Sequence, residues 1–251
     1  MANLKEFKFT AFSDIAIARD GWTNLRASVN AFAGNDIIAG FGGEVGVRNY
    51  YSANLDTGSG NDIVSGSGTV HGIQNGSDSF IGTGDGSDII SGQGNLYGII
   101  NSGRAVIDLG SGNNVLQGVC ASADGYSGVC VVDYGTLRAC SGNDVISGVE
   151  GIVAGIVIAD HSVISTGAGS DTVSGKSSKG HGIINDLTSK IDSGGGNDVI
   201  TGRGSEGHSD IYNDGIIDAG AGDDSVDSLM FGFGGSGTIL LGSGNDGLKG
   251  F

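Results

Sequence analysis

Nine times along the 251-residue chain, a carboxylate or its amide follows a glycine-rich turn and precedes a short apolar pair. These residues are Asp36, Asp62, Asp88, Asn114, Asp144, Asp171, Asp198, Asp224 and Asp246, separated by 26, 26, 26, 30, 27, 27, 26 and 22 positions. Their chemistry is that of hard oxygen ligands. Brought into one file at the ~4.8 Å spacing of stacked strands, neighbouring unit charges repel by roughly 1 kcal/mol in water and several times that near a protein surface. Calcium relieves such repulsion by accepting about six to eight oxygens, turn carbonyls among them. The expected metal ligands are Asp36, Asp62, Asp88, Asp144, Asp171, Asp198, Asp224 and Asp246. The turn glycines Gly58, Gly60, Gly84, Gly86, Gly167, Gly169, Gly194, Gly196, Gly220 and Gly222 are expected to join them. Folding then depends on metal. Asn114 carries no charge and is the expected weak point; Cys140, standing in for a turn glycine, weakens its coil as well. The competing expectation is that each aspartate only accepts N–H groups in an Asx-turn of its own.

Such a file requires elements that repeat, and the columns around the anchors supply them. Two positions before the anchor every residue is glycine, and two after it every residue is aliphatic, from Ile38 to Leu248. Seven before it stand Val29, Leu55, Ile81, Ile107, Leu137, Ile164, Ile191, Ile217 and Ile239. Fifteen before it stand Val47, Ile73, Ile99, Val129, Ile156 and Ile183, after which the column weakens at Ser209. The pattern predicts an all-β fold: a parallel β-solenoid, either a β-helix or a wide β-roll, of about nine coils with three short strands each. The absence of proline fits, because proline removes a ladder donor. Asn49, Asn75, Asn101 and Asn185 share a column and are expected to form an amide ladder. Residues 1–28, with Phe7, Phe9, Phe12 and Trp22, are expected to cap the first coil, and 29–251 to form the repeat domain; no second cap is visible after Asp246.

Aligned on the aspartate, TGSGNDIVS, SGGGNDVIT and AGAGDDSVD fit the nonapeptide G-G-x-G-x-D-x-U-x, with U a large aliphatic. The chain thus resembles the hemolysin-type calcium-binding repeats of RTX proteins. The first glycine is replaced by Thr57, Thr83, Leu109, Thr166 or Ser193, and one nonapeptide occurs per coil where the family usually has two. The resemblance covers about a third of each coil over residues 31–250. It implies calcium along one edge and export by a type I system without an N-terminal signal.

Composition narrows the function classes. A net charge of −16, from 28 acidic and 12 basic residues, argues against nucleic acid. No apolar run reaches the length of a membrane span, and MANLKEFKFTAF lacks the features of a signal peptide. Cys120, Cys130 and Cys140 are too few for a disulfide framework. The expected function is a calcium-binding structural or adhesive module, secreted or at the cell surface, with a cytoplasmic setting as the alternative. Expected partners are calcium ions, a cell-surface or polysaccharide partner, and a second copy through the uncapped C-terminal end. Two rivals stand beside it. One is a polysaccharide-active β-helix enzyme of lyase or epimerase type, using Lys176, Lys179, His181, Arg203 and His208, whose simpler reading is a solvated basic face. The other is a self-assembling scaffold without metal. An ice-binding threonine file is disfavoured because Thr57, Thr83 and Thr166 are interrupted by Leu109, Ala139 and Ser193.

Overall fold

The computed structural model describes residues 1–122 and 124–250; Ala123, in the 30-residue step between Asn114 and Asp144, and Phe251, the last residue of the expected repeat domain, lie outside them. Every strand pairing recorded between the elements is parallel, and each coil contributes one strand to each of three sheets. One sheet, here the anchor sheet, is ten-stranded and contains Ile37–Phe41, Ile63–Ser67, Ile89–Gly94 and their successors. A second ten-stranded sheet holds Val45–Tyr50, His71–Gly76 and Tyr97–Ser102, and a nine-stranded sheet holds the short strands Asn54–Asp56, Phe80–Gly82 and Val106–Asp108. The chain is a β-solenoid, as its periodicity predicts.

The aliphatic columns are the core. Ile38, Val64, Ile90, Leu116, Ile146, Val173, Ile200 and Val226 lie in the anchor sheet with almost no solvent exposure. Leu55, Ile81, Ile107, Leu137, Ile164, Ile191 and Ile217 face them from the short strands, and Val47, Ile73, Ile99, Val129, Ile156 and Ile183 from the third side. Register holds these columns: a slip of one residue would turn each aliphatic side chain outward. The third column does not lapse at Ser209. A changed link places Ile211 opposite Ile183 instead, fully buried.

The same shift lengthens the asparagine ladder. Asn24 donates to Asn49, Asn49 to Asn75 and Asn75 to Asn101, at 2.9, 2.8 and 2.8 Å. Val131 and Ile158 then occupy the column, and the ladder resumes from Asn185 to Asn213 at 2.7 Å. Asn24 and Asn213 escape the sequence column because the links before their anchors are short.

The expected cap shrinks. Ile15–Ala18 pairs with Ile37–Gly40, Trp22–Leu25 with Val47–Tyr50 and Ser28–Asn30 with Asn54–Asp56, so the first coil begins near residue 15. Ala2–Asn3 adds one further strand to the second sheet by pairing with Trp22–Thr23, and the cap narrows to the stretch between that strand and Asp14. Leu4 is buried there, and Phe7 and Phe9 pack against the core. At the other end Leu240 and Leu248 are about half exposed, at 47% and 51%. No helix among the described residues is long and apolar enough to cross a membrane.

Candidate metal site

The anchors form one file, as expected, but it points inward. Asp36, Asp62, Asp88, Asp144, Asp171, Asp198 and Asp224 are at most 3% exposed. The reason is strand parity: the anchor lies two residues before the buried aliphatic, so both side chains leave the same face. The carboxylate file expected along one edge is therefore a buried one beside the core.

Each carboxylate spends one oxygen on the neighbouring coil. The backbone N–H of Asp36 donates to Oδ1 of Asp62 at 2.8 Å, that of Asp62 to Asp88 at 2.7 Å, and that of Asp88 to Oδ1 of Asn114 at 2.9 Å. Asn114 donates to Asp144, Asp144 to Asp171, Asp171 to Asp198 and Asp198 to Asp224 at 2.7–2.8 Å. Asp224 reaches the half-buried Asp246 at 3.0 Å. The file also starts one coil earlier than the nine anchors indicate: the N–H of Asp14 donates to Asp36 at 2.7 Å. Asp14 lies 22 residues before Asp36, the same short step that separates Asp224 from Asp246. The bonds run between coils, which the Asx-turn alternative does not describe.

The other oxygen is different. Oδ2 of Asp36, Asp62, Asp88, Asp144, Asp171, Asp198 and Asp224 is enclosed and makes no hydrogen bond. The hydroxyls of Thr57, Thr83, Thr166 and Ser193 lie close enough to Asp62, Asp88, Asp171 and Asp198 to lower their carboxyl pKa values, but are directed at next-coil carbonyls. Asn114 identifies what it faces. With its Oδ1 on the N–H of Asp88, its Nδ2 donates to the carbonyl of Gly112, in its own turn, at 3.0 Å. Aspartate is nearly isosteric with asparagine, so in the other coils Oδ2 and the equivalent glycine carbonyl are two acceptors directed at one another. No backbone N–H among the described residues bonds the carbonyls of Gly60, Gly86, Gly169, Gly196 or Gly222. The carbonyls of Gly58, Gly84, Gly167, Gly194 and Gly220 each accept one N–H from the next coil, at 2.8–3.2 Å, and keep a second lone pair.

The turn needs glycine for steric reasons. Gly86 has φ +149°, and a Cβ there would lie 1.7 Å from the carbonyl oxygen of Gly60. Cys140 keeps the ladder without a positive φ: it donates to Gly110 at 2.9 Å, and its carbonyl accepts from Ala168 at 3.1 Å.

Burial raises the carboxyl pKa values. Asp88, Asp144 and Asp198 are pushed up to about 6 by desolvation, against the lowering effect of the accepted N–H bonds and of the neighbouring side chains of Thr83, Asn114 and Ser193, with nearby aspartates adding to the rise. Asp36, Asp62, Asp171 and Asp224 move in the same direction, again mainly by desolvation. A proton or a cation is what these sites lack electrostatically.

The donor set fits a divalent cation in kind: buried carboxylate oxygens beside carbonyls that carry no N–H. Histidine and cysteine contribute nothing, and no group of three or more His, Cys, Asp or Glu side chains converges among the described residues. Any site is completed by backbone oxygens.

The remaining candidates separate. Lys176 and Arg203 are exposed neighbours on the anchor sheet, as their shared column predicts. His181 and His208 meet edge to face 5.0 Å apart, and the Nδ1 of His181 accepts the N–H of Ser209 at 3.1 Å. Thr57, Thr83, Thr166 and Ser193 are buried, their hydroxyls donating to next-coil carbonyls at 2.9–3.3 Å, so no threonine file meets solvent. Cys120 and Cys130 are buried and Cys140 is exposed, all three free. Comparison with known protein families, with curated proteins and with solved structures finds no match to this chain.

Proposed function

We propose that the chain is a calcium-binding structural module whose ions lie inside the solenoid, between successive glycine turns. The observation that carries this reading is the row of seven buried Oδ2 atoms without a hydrogen-bond partner, set beside glycine carbonyls without an N–H. An isolated buried carboxylate is far too costly to persist unpaired. The aspartates would supply anionic oxygen, the carbonyls of Gly60, Gly86, Gly169, Gly196 and Gly222 would supply neutral oxygen, and those of Gly58, Gly84, Gly167, Gly194 and Gly220 would use their second lone pairs. Bound calcium supplies neutralising charge that ties one coil to the next. The role is structural: metal stiffens a rod that presents long flat faces to a surface or polysaccharide partner, in an extracellular or cell-surface setting where calcium is abundant.

Isothermal titration calorimetry tests this directly. Protein stripped with EDTA and freed of chelator is titrated with calcium chloride, with magnesium chloride in parallel. Saturable uptake of several ions per chain, stronger for calcium, is expected. No saturable heat at pH 7.5 would remove the metal from the account and leave a metal-free scaffold.

A further inference from the structure

We infer that Asn114 is a metal-free divider which splits the cation file into two separate arrays, one on the Asp36–Asp88 side and one from Asp144 onward. The inference rests on the calcium reading and deepens it. Asn114 is as buried as the aspartates above and below it, and its Oδ1 holds the same place in the ladder, accepting from Asp88 at 2.9 Å. Its own N–H continues the ladder to Asp144 at 2.8 Å. Backbone pairing is therefore unbroken through this coil. What changes is one atom. Where seven coils present an unpartnered Oδ2, this coil presents an N–H that donates to Gly112 at 3.0 Å. The donor satisfies the carbonyl that a cation would otherwise use, and the amide brings no negative charge to either adjoining gap.

Two consequences follow from that exchange. Both gaps next to residue 114 have one carboxylate instead of two, so they are the poorest cation sites in the file. Ions on the two sides are separated by a neutral coil, and filling one array leaves the other unaffected. The same amide makes this coil self-sufficient: it needs neither proton nor metal. It is the natural stopping point between two segments that do.

The test uses the full chain and calcium chloride alone. Bound calcium is counted by atomic emission after gel filtration in a fixed free-calcium buffer, and thermal melts are recorded with and without EDTA. Wild type is expected to fill in two steps. Asn114→Asp is expected to bind more calcium per chain, to merge the two steps into one, and to melt lower than wild type in EDTA. Asp88→Asn guards against a variant that fails to fold, since it introduces the amide already tolerated at 114. It is expected to bind less calcium and to melt at least about 2–4 °C higher in EDTA, the shift that one recovered hydrogen bond alone gives in a domain of this size, with removal of the buried charge adding to it. If wild type binds calcium and Asn114→Asp binds no more, the divider is overturned while the calcium reading stands. A rise with Asn114→Asp but no loss with Asp88→Asn overturns it equally. If wild type takes up no calcium, both readings fall together.

Discussion

Stripping metal from this protein should destabilise it in a way that acid reverses. Seven enclosed Oδ2 atoms have no donor. Leaving a buried acceptor unsatisfied costs about 1–3 kcal/mol, more when it is charged, which places the whole file at roughly 7–20 kcal/mol. Domains are commonly stable by only about 5–15 kcal/mol. At pH 8 in EDTA the file therefore consumes most of the available stability, and the native coil should melt tens of degrees below the calcium-loaded form or not form at all.

The pH dependence fixes the sign. Asp88, Asp144 and Asp198 have folded values near 6 against an ordinary 3.8. A raised carboxyl value means that the folded state keeps protons the unfolded state has lost. That contribution is complete below pH 4 and disappears as pH rises through 6, at about 3 kcal/mol for each of the three groups. The four other raised aspartates act in the same direction. In EDTA the melting temperature should therefore climb as pH falls from 8 to 5. With saturating calcium the trend should invert, because protons then compete with the ion. Surface charge also diminishes in acid, so the control is Asp88→Asn/Asp144→Asn/Asp198→Asn, which should flatten the dependence in EDTA. Circular dichroism melts across this pH range, with and without calcium, are the assay. A chelated protein that melts at pH 8 within two or three degrees of the loaded one, or a triple variant as pH-sensitive as wild type, would refute the reasoning.

Three other outcomes are expected. Asn75→Ala removes a buried amide that accepts from Asn49 and donates to Asn101 and to the Val106 carbonyl at 2.8–2.9 Å, and should cost about 2–4 kcal/mol by guanidinium denaturation. Gly86→Ala drives a Cβ to 1.7 Å from the Gly60 oxygen and should abolish soluble folded protein, whereas Gly195→Ala meets nothing nearer than 3.9 Å and should melt within about a degree of wild type. Replacing the exposed pair Lys176 and Arg203 by alanine should leave melting and calcium uptake unchanged; loss of cleavage of an acidic polysaccharide on that change would instead promote the enzyme reading.

Much of the winding is legible before any coordinates, because three aliphatic columns at one period admit few other folds. The direction of the anchors is legible as well, from Asp36 standing two residues before Ile38, although a glycine turn by itself suggests a corner facing away from the core. In this solenoid the strand period already governs the last turn residue. Ile211, Asn213, Asn24 and Asp14 were hidden for a different reason. Each follows or precedes a shortened link, so a fixed offset from the anchor overlooks it, while the paired backbone places it in the column at once. The glycine carbonyl that faces each carboxylate has no side chain to announce it, and its position depends on the turn geometry alone.

The fold itself asks less of the anchor than the sequence provides. Asn114 performs the whole ladder duty, accepting from the coil before and donating to the coil after, and is fully buried while doing so. An asparagine at every anchor would pair the same backbone groups and would also satisfy each glycine carbonyl, as it does at Gly112. Aspartate at the other anchors gives up that bond and buries charge instead, a combination that backbone pairing does not explain. Buried charge is kept where something of opposite sign resides with it. The surplus oxygen is thus the part of the anchor that folding leaves unexplained and function has to account for. Replacing all the buried anchor aspartates by asparagine separates the two demands: the coil should persist in EDTA at pH 8, and calcium uptake should vanish.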